Sequence, residues 1–327
     1  MEEYPITARS LEKHYFIDGD QFERQYKDYL SDFHVWDQLS HAEDWMVFED
    51  NMGEKLSIDE TSLSRGELYT IIANKAAHGG HGTIVAMVKG TKAETVIEAV
   101  RHISEEKRGM VKEVTMDLSD SMRKIVRICF PNASRVIDRF HVQKLALEAV
   151  QEIRIKFRWD AIEADNRARA TARNNGEEYN PFTYENGDTR RELLARSRYL
   201  LYKSPEKWTE SQKLRAKLLF NEYPDIERAY WLSQHLRAIF NKKSKKSAAR
   251  LNLARWYNDV EDAGYESFHT LAHTIYERYD EVLNYFDELS TNANAESFNS
   301  KIKNFRAALR GVSDINFFLF RLQKIYA

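Results

Sequence analysis

The 327-residue sequence predicts a helix-rich α/β fold with one small sheet of five strands. Glycine and proline are scarce, with 12 and 5 residues, so tight turns are few and an all-β sandwich or barrel is disfavoured. Short runs rich in Ile, Val and Thr are concentrated between residues 55 and 137, whereas helical periodicity dominates elsewhere. Hydrophobic residues make up 43% and charged residues 31% of the chain, which is typical of a globular protein.

The strands are predicted in the first half of the chain. An N-terminal segment, 8–50, has aromatic residues and leucines at helical spacing. After it, the runs KLSIDETSL, ELYTIIAN and GTIVAMVKG predict three antiparallel strands, because Gly and polar residues separate them. A helix (TKAETVIEAVRHIS), a fourth strand (VKEVTMDLS), a helix that stops at Pro131 and a fifth strand (SRVIDRF) complete the order β-β-β-α-β-α-β.

Helical periodicity dominates from Asp138 to the end of the chain. The turn-rich stretch 174–188 interrupts it, and a final amphipathic helix is predicted from about Asn294. We therefore predict an N-terminal helical segment, the first part of a sheet-bearing domain, an all-helical insertion and the return of the sheet-bearing domain, at residues 1–54, 55–158, 159–288 and 289–327.

The net charge of −2 conceals a strong segregation of charge. Residues 1–58 hold 14 acidic and 5 basic residues, 237–258 hold seven basic residues and no acidic one, and 297–327 hold six basic residues and one acidic one. Such segregation predicts local surfaces that bind a polyanion on a chain of nearly neutral charge. The alternative is that each basic run is an ordinary solvated helix face.

Cysteine content and targeting signals exclude several classes of protein. The single cysteine, Cys129, excludes a disulfide framework and a multi-cysteine zinc module. The sequence has no signal-peptide pattern and no apolar run of membrane-spanning length, so we expect a cytoplasmic protein with no membrane partner.

Two aspartates follow apolar residues within or at the end of predicted strands. Asp59 lies in the first strand and Asp117 at the end of the fourth. Burying such carboxylates is costly unless they are paired or bound to a cation, and Mg²⁺ prefers oxygen ligands of this kind. The alternative, strongest for Asp117, is that each aspartate caps a following turn or helix.

A third acidic residue, Glu296, begins the last predicted helix. On that helix one stripe is apolar (Phe298, Ile302, Phe305 and Leu309), and another carries Glu296, Asn299, Lys303, Arg306 and Arg310. A carboxylate followed by an amide and three cations is typical of a metal ligand placed next to a phosphate backbone. The alternative is an amphipathic surface helix whose N-terminal acid is favoured by the helix dipole.

The order of elements and three local motifs resemble a known family. The runs MDLSDSMRKI and FPNASRVIDRFHVQKL, the stretch RSRYLLYKSPEKWTESQ and the helix AESFNSKIKNFR resemble bacterial insertion-sequence DDE transposases of the ISL3 family, in particular the ISAon type. The resemblance covers roughly residues 55–327. It implies a ribonuclease-H-like mixed five-stranded sheet with a large all-helical insertion before the last catalytic helix.

The resemblance also implies a catalytic triad. Asp59, Asp117 and Glu296 match the DDE positions, so they are expected to hold two Mg²⁺ or Mn²⁺ ions about 3.5–4 Å apart. The expected reaction is cleavage at transposon DNA ends, followed by joining of the 3′-OH to target DNA. Asp138 is a rival for the second position, but we assign Asp138 and His141 a site-supporting role.

Double-stranded DNA, as transposon ends and target, is the expected partner. The residues predicted to contact it are Asn299, Lys301, Lys303, Arg306, Arg310, Arg139, Lys242, Lys243, Lys245 and Lys246, and Trp256 and Tyr257 lie beside the last four. Related proteins often carry a zinc module ahead of the catalytic domain, and this chain resembles a catalytic half that lacks it. A separate DNA-recognition subunit and a homodimer at synapsis are therefore expected.

Three alternatives remain open at the level of sequence. One is a ribonuclease-H-like, structure-specific nuclease without strand transfer. Another is a catalytically inactive, transposase-derived DNA-binding protein. The third is a helical scaffold whose basic surfaces bind another protein.

Overall fold

A computed structural model describes residues 1–64 and 66–327 and contains one mixed sheet among many helices. The strands are β1 (Trp45–Val47), β2 (Lys55–Ser64), β3 (Glu67–Asn74), β4 (Ile84–Lys89), β5 (Glu113–Met116) and β6 (Ser134–Ile137). The α-helices are α1 (Ala8–Tyr15), α2 (Gly19–Gln25), α3 (Ala93–Val100), α4 (Glu105–Gly109), α5 (Asp120–Cys129), α6 (Arg139–Asn175), α7 (Arg190–Arg196), α8 (Glu210–Glu222), α9 (Pro224–Asn241), α10 (Lys246–Ala263), α11 (Glu266–Glu277), α12 (Tyr279–Leu283), α13 (Tyr285–Glu288), α14 (Ala293–Ala308) and α15 (Ile315–Tyr326).

The sheet has six strands in the order β1-β4-β3-β2-β5-β6. Pairing is antiparallel from β1 through β4 and β3 to β2, and parallel from β2 through β5 to β6. The helix-rich α/β class is confirmed, and the five strands from KLSIDETSL to SRVIDRF all form. The mixed sheet is consistent with the ribonuclease-H-like fold that the family resemblance implies.

The prediction of only five strands is wrong, because β1 adds a sixth from the segment that was predicted to be helical. Trp45, Met46 and Val47 pair with Val88, Met87 and Ala86 at the edge of the sheet. A three-residue edge strand is too short for an alternating pattern to distinguish it from a helix. Its position is set instead by a long-range pairing with β4.

The chain divides into two compact units. One comprises residues 1–138 and 290–327, and the other residues 139–289. The domain boundaries at 158 and 288 stay a prediction. Position 158 lies inside α6, which runs without interruption from Arg139 to Asn175. Within residues 1–64 and 66–327, every helix is too short or too polar to cross a membrane.

The core of the first unit lies between the sheet and the two C-terminal helices. Phe298, Ile302 and Phe305 of α14 are buried together with Ile71 of β3 and the apolar side chains of α15. This confirms the apolar stripe predicted for the last helix, whose fourth member, Leu309, is partly buried. α14 therefore lies on the sheet with its polar stripe at the edge of that packed face.

Candidate active site

The strand register aligns three aspartates at one end of the parallel part of the sheet. β2 pairs with β5 through Ser57 and Thr115, and continuing this register by two residues places Asp59 beside Asp117. Adjacent strands are about 4.8 Å apart. Asp138 follows β6 directly, and its backbone N–H donates to the Met116 carbonyl at 2.8 Å. The three carboxylates thus come from three neighbouring strands.

Asp59 is held by helix α14. Its Oδ2 accepts a hydrogen bond of 2.8 Å from Asn299 Nδ2, and its Oδ1 accepts one of 2.8 Å from the Glu60 backbone N–H. The amide of Asn299 is buried, with 7% of the residue exposed. Asn299 therefore orients Asp59, and contact between Asn299 and DNA remains a prediction.

Glu296 lies in the first turn of α14, one turn before Asn299, and is exposed. The i, i+3 spacing puts both residues on the same side of the helix. Among the residues that the structure describes, however, no group of three or more His, Cys, Asp or Glu side chains is arranged to hold a metal ion. The structure brings α14 to Asp59 but does not assemble the complete triad into a coordinating cluster.

Asp117 is half-buried and shapes the turn that follows β5. Its Oδ1 accepts a hydrogen bond of 2.7 Å from the Ser119 backbone N–H, and the Ser119 side chain in turn caps α5. The capping role considered for Asp117 is therefore present in the structure. It occupies one carboxylate oxygen and is compatible with a second contact.

Negative charge accumulates around these strands. Burial raises the pKa of the Glu60 carboxyl group, and the charges of Asp117 and Asp59 raise it further. A divalent cation would offset this repulsion, and carboxylate oxygens are the ligands that Mg²⁺ and Mn²⁺ prefer. The donor set thus fits such an ion. Glu60 was not predicted as part of the site, although its position next to Asp59 could have suggested it.

Asp138 is completely buried, and its side chain contacts the residue that precedes α14. Its Oδ1 accepts a hydrogen bond of 3.4 Å from the Asn292 backbone N–H. Asn292, 1% exposed, was also missed by the sequence analysis. An asparagine just before a helix is a known capping signal, but nothing local indicates that it reaches Asp138. His141 lies half-buried in the first turn of α6.

A lysine, Lys75, lies on the same face of β5 as Asp117. Its Nζ donates to Thr115 Oγ1 at 2.8 Å and to Glu113 Oε1 at 3.2 Å. Side chains alternate along a strand, so Glu113, Thr115 and Asp117 share one face. Lys75 therefore places a nearly buried cation two residues from Asp117. The sequence gives no signal for it, because the contact spans β2.

The cations predicted on α14 differ in their surroundings. Lys301 Nζ donates to the Gly79 carbonyl at 2.7 Å, and Arg306 Nη1 donates to the Ser62 carbonyl at 3.2 Å. Lys303 and Arg310 are exposed. The first two side chains hold loops and strands of the unit, whereas the other two are accessible to a phosphate backbone.

In the second unit, the basic segment 237–258 is only partly a surface. Lys242, Lys243 and Lys245 are exposed between α9 and α10. Lys246 instead binds Asn284 Oδ1 and Asp287 Oδ2 at 2.7 and 2.8 Å. Trp256 is fully buried and donates to the Leu232 carbonyl, so its expected place beside a DNA surface is wrong.

Arg139 has partners within the second unit. Its Nη1 donates to Asn241 Oδ1 at 2.9 Å and to the Phe240 carbonyl at 3.4 Å. Its guanidinium also lies over the rings of Phe140 and Tyr285. These contacts give Arg139 a structural role, and its contact with DNA remains a prediction.

Comparison with known proteins gives the family. A family model described as "Transposase", of the DDE class and ISL3 type, matches residues 56–322. The "Transposase for insertion sequence element IS1557" of two Mycobacterium tuberculosis strains, H37Rv and CDC 1551 / Oshkosh, is 27% identical over 208 residues. That match covers 62% of this chain but 44% of each relative, so the chain spans less than half the length of these relatives. No solved structure matches. The chain belongs to the ISL3 family of insertion-sequence transposases.

Proposed function

We propose that this chain cuts phosphodiester bonds at the ends of an insertion sequence and joins the freed 3′-OH to target DNA. The observation that carries the proposal is the hydrogen bond of 2.8 Å from Asn299 Nδ2 to Asp59 Oδ2. It holds the helix of Glu296 on the strand of Asp59, which pairs with the strand that Asp117 follows. The family match supplies the chemistry to which this arrangement is suited.

The proposed catalytic residues are Asp59, Asp117 and Glu296, which would hold two divalent cations, Mg²⁺ or Mn²⁺. When bound, such ions activate the attacking oxygen and stabilise the leaving oxygen in phosphoryl transfer. The protein's own contribution is to keep the carboxylates in place. Asn299 orients Asp59, and the Ser119 N–H orients Asp117. Asp138 lies next to them at the end of β6, where it is hydrogen-bonded to Met116 and Asn292.

Glu296 is the exposed member of this proposed triad and lies in the first turn of α14. A carboxylate in the first turn of a helix interacts favourably with the helix dipole, which suits a glutamate at this position. Asn299, one turn later, keeps that turn of the helix against β2. We therefore propose that α14 positions Glu296 on the side of the two aspartates.

DNA binding is proposed to rest on exposed cations of both units. Lys303 lies on α14 and Arg310 just after its C-terminal end, and Lys242, Lys243 and Lys245 form a second surface. Phosphate contacts of this kind give affinity and little sequence specificity. We therefore keep the proposal that a separate subunit recognises the element ends, and that two copies of this chain act at synapsis.

The test uses the purified full chain, Mg²⁺ and a labelled duplex that carries the end of the genomic element. Asp117→Asn and Glu296→Gln should each reduce cleavage by at least about a hundredfold, since each removes a charged ligand. Glu98→Gln, an exposed position on α3, is the matched control and should cleave normally.

Product analysis separates the alternatives. Joined products on a sequencing gel indicate a transposase, whereas cleavage without joining indicates a structure-specific nuclease. DNA binding without cleavage under any metal condition indicates either an inactive, DNA-binding derivative or a chain that cleaves only together with the proposed recognition subunit. If Asp117→Asn cleaves and joins as the unmodified chain does, the assignment of Asp117 is wrong.

A further inference from the structure

Asn292 connects the elements that carry the proposed catalytic residues. It directly precedes α14, and its carbonyl accepts a hydrogen bond of 2.9 Å from the Glu296 N–H. Its own N–H donates to Asp138 Oδ1 at 3.4 Å, and its Nδ2 donates to the Ile58 carbonyl at 3.5 Å. Ile58 is the neighbour of Asp59 in β2. One buried residue thus touches β2, the end of β6 and the start of α14.

The remaining polar atom of Asn292 has no partner in the described structure. Its Oδ1 is buried and accepts no hydrogen bond from any of the described residues. A buried amide oxygen left in this state is costly, and such an atom in a native protein usually indicates an ordered water or an ion. Because Nδ2 is oriented by the Ile58 carbonyl, Oδ1 is the atom left for such a ligand.

The surroundings of this oxygen favour a cation. Asp138 lies on one side of Asn292 and the strand of Asp59 on the other, and the register of β2 and β5 places Asp117 beside Asp59. Neutral amide oxygens serve alongside carboxylates as ligands of hard divalent cations. The amide adds an oxygen without adding a further negative charge to an already acidic site.

We propose that Asn292 Oδ1 is an additional oxygen donor for the divalent cation of this site, a role that rests on the proposed transposase function. Without the cation, the Asn292 side chain keeps its orientation through the hydrogen bond from Nδ2 to the Ile58 carbonyl, and its backbone is fixed by the hydrogen bond to Asp138. The rival explanation is that Asn292 acts only through its donor groups, as a structural link. An aspartate at this position distinguishes the two explanations, because it keeps the oxygen atom and loses the Nδ2 donor. Metal binding should survive this substitution only if the oxygen is the ligand.

The probe is Mn²⁺ alone, titrated into the full chain without DNA and measured as free ion by electron paramagnetic resonance. Asn292→Ala should weaken Mn²⁺ binding by about 10- to 100-fold, the range found when support of a metal site is lost. Asn292→Asp should bind Mn²⁺ at least as tightly as the unmodified chain. Asn304→Ala, an exposed amide on the same helix, is the matched control and should bind normally.

Circular dichroism and thermal unfolding establish that each variant is folded, and Asn292→Leu replaces the alanine variant if that one is not. If Asn292→Asp weakens Mn²⁺ binding as much as Asn292→Ala does, Asn292 acts only through its hydrogen-bond donors, and the proposal is overturned. Unchanged binding by Ala or Leu overturns it as well, while leaving the transposase function standing. If the unmodified chain itself binds no Mn²⁺, the proposed metal chemistry and this inference are both wrong.

Discussion

Asn299 donates a hydrogen bond of 2.8 Å to Asp59, which lies 240 positions earlier in the chain. The contact joins the first proposed catalytic strand to helix α14, although residues 139–289 lie between them in the sequence. Asn299 is three residues after Glu296, so fixing its amide also fixes the rotation of the first turn of α14. The two acidic residues are therefore linked through one neutral side chain.

Replacing Asn299 should impair catalysis more than stability. Asn299→Ala removes the hydrogen bond from the Asn299 amide to Asp59, and loss of a residue that orients a metal ligand typically costs about 10- to 100-fold in activity. Asn299→Asp should be worse, because a second carboxylate facing Asp59 raises the pKa of both. Cleavage of the end duplex measures the effect, with Asn304→Ala as the control on the same helix. An Asn299→Ala variant that cleaves at the unmodified rate would contradict the positioning role.

The sequence was sufficient for the features that repeat locally. Alternation and turn residues predicted the strands from Lys55 to Ile137, and the spacing of Phe298, Ile302 and Phe305 predicted the buried face of α14. These predictions succeed because a period of two or 3.6 residues is a direct consequence of which face is buried. Each can be read without knowing the partner.

The features that depend on distant partners were not predictable in this way. β1 exists because Trp45–Val47 can pair with β4, and Lys75 reaches Thr115 across β2. The same holds for Asn292, whose contacts with Ile58 and Asp138 join residues far apart in the chain. Trp256 is the converse case, because its position beside a basic run predicts a surface residue, whereas its side chain packs inside the second unit.

The exposed lysines between α9 and α10 give a prediction about salt dependence. If Lys242, Lys243 and Lys245 each neutralise one phosphate, replacing all three by alanine should reduce the slope of log Kd against log salt by about 2.7. Fluorescence anisotropy with a short duplex between about 50 and 200 mM salt measures this slope. A triple alanine variant at the exposed positions Lys207, Lys213 and Lys217 removes the same charge elsewhere in the unit. Equal slopes for the two variants would mean that the predicted surface does not bind DNA.

The N-terminal residues are held by a buried arginine. Arg321 is 2% exposed, and its Nη2 donates to the carbonyls of Met1, Tyr4 and Ile6 at 2.7, 3.4 and 3.1 Å. Arg321→Leu should lower the free energy of unfolding by about 3 kcal/mol, because hydrogen bonds from a charged donor contribute about 1.5–3 kcal/mol each. Urea unfolding measures the change.

The control for that experiment is on the same helix. Lys324 forms a partly exposed ion pair of 3.2 Å with Asp32, and such pairs contribute about 0–1 kcal/mol. Lys324→Leu should therefore change the free energy of unfolding only slightly. A loss for Arg321→Leu no larger than that for Lys324→Leu would show that the three carbonyl contacts do not stabilise the unit.

The second unit should lose stability in acid through a buried aspartate. Asp188 has no exposed side-chain surface and binds Arg196 and Arg215. Burial alone favours its neutral form, but the hydrogen bonds from Arg215 and Arg196 outweigh burial and hold the pKa of Asp188 below its ordinary value. A lowered pKa in the folded state stabilises the protein fully above the ordinary pKa of about 3.9. That stabilisation is lost as the pH falls through the lowered pKa.

Asp188→Asn should therefore destabilise the chain in a pH-dependent way. At pH 7 we expect the free energy of unfolding to fall by about 3 kcal/mol, since removing the charge of Asp188 leaves the half-buried guanidinium group of Arg215 uncompensated. The difference between the unmodified chain and the variant should shrink as the pH is lowered below about 3.9, because Asp188 is then increasingly protonated in both states. Urea unfolding at a series of pH values measures it, and Asp120→Asn, an exposed acid at the start of α5, serves as the control. A difference that is the same at pH 7 and in acid would mean that the charge of Asp188 does not stabilise the fold, and that its contribution comes from packing and neutral hydrogen bonds.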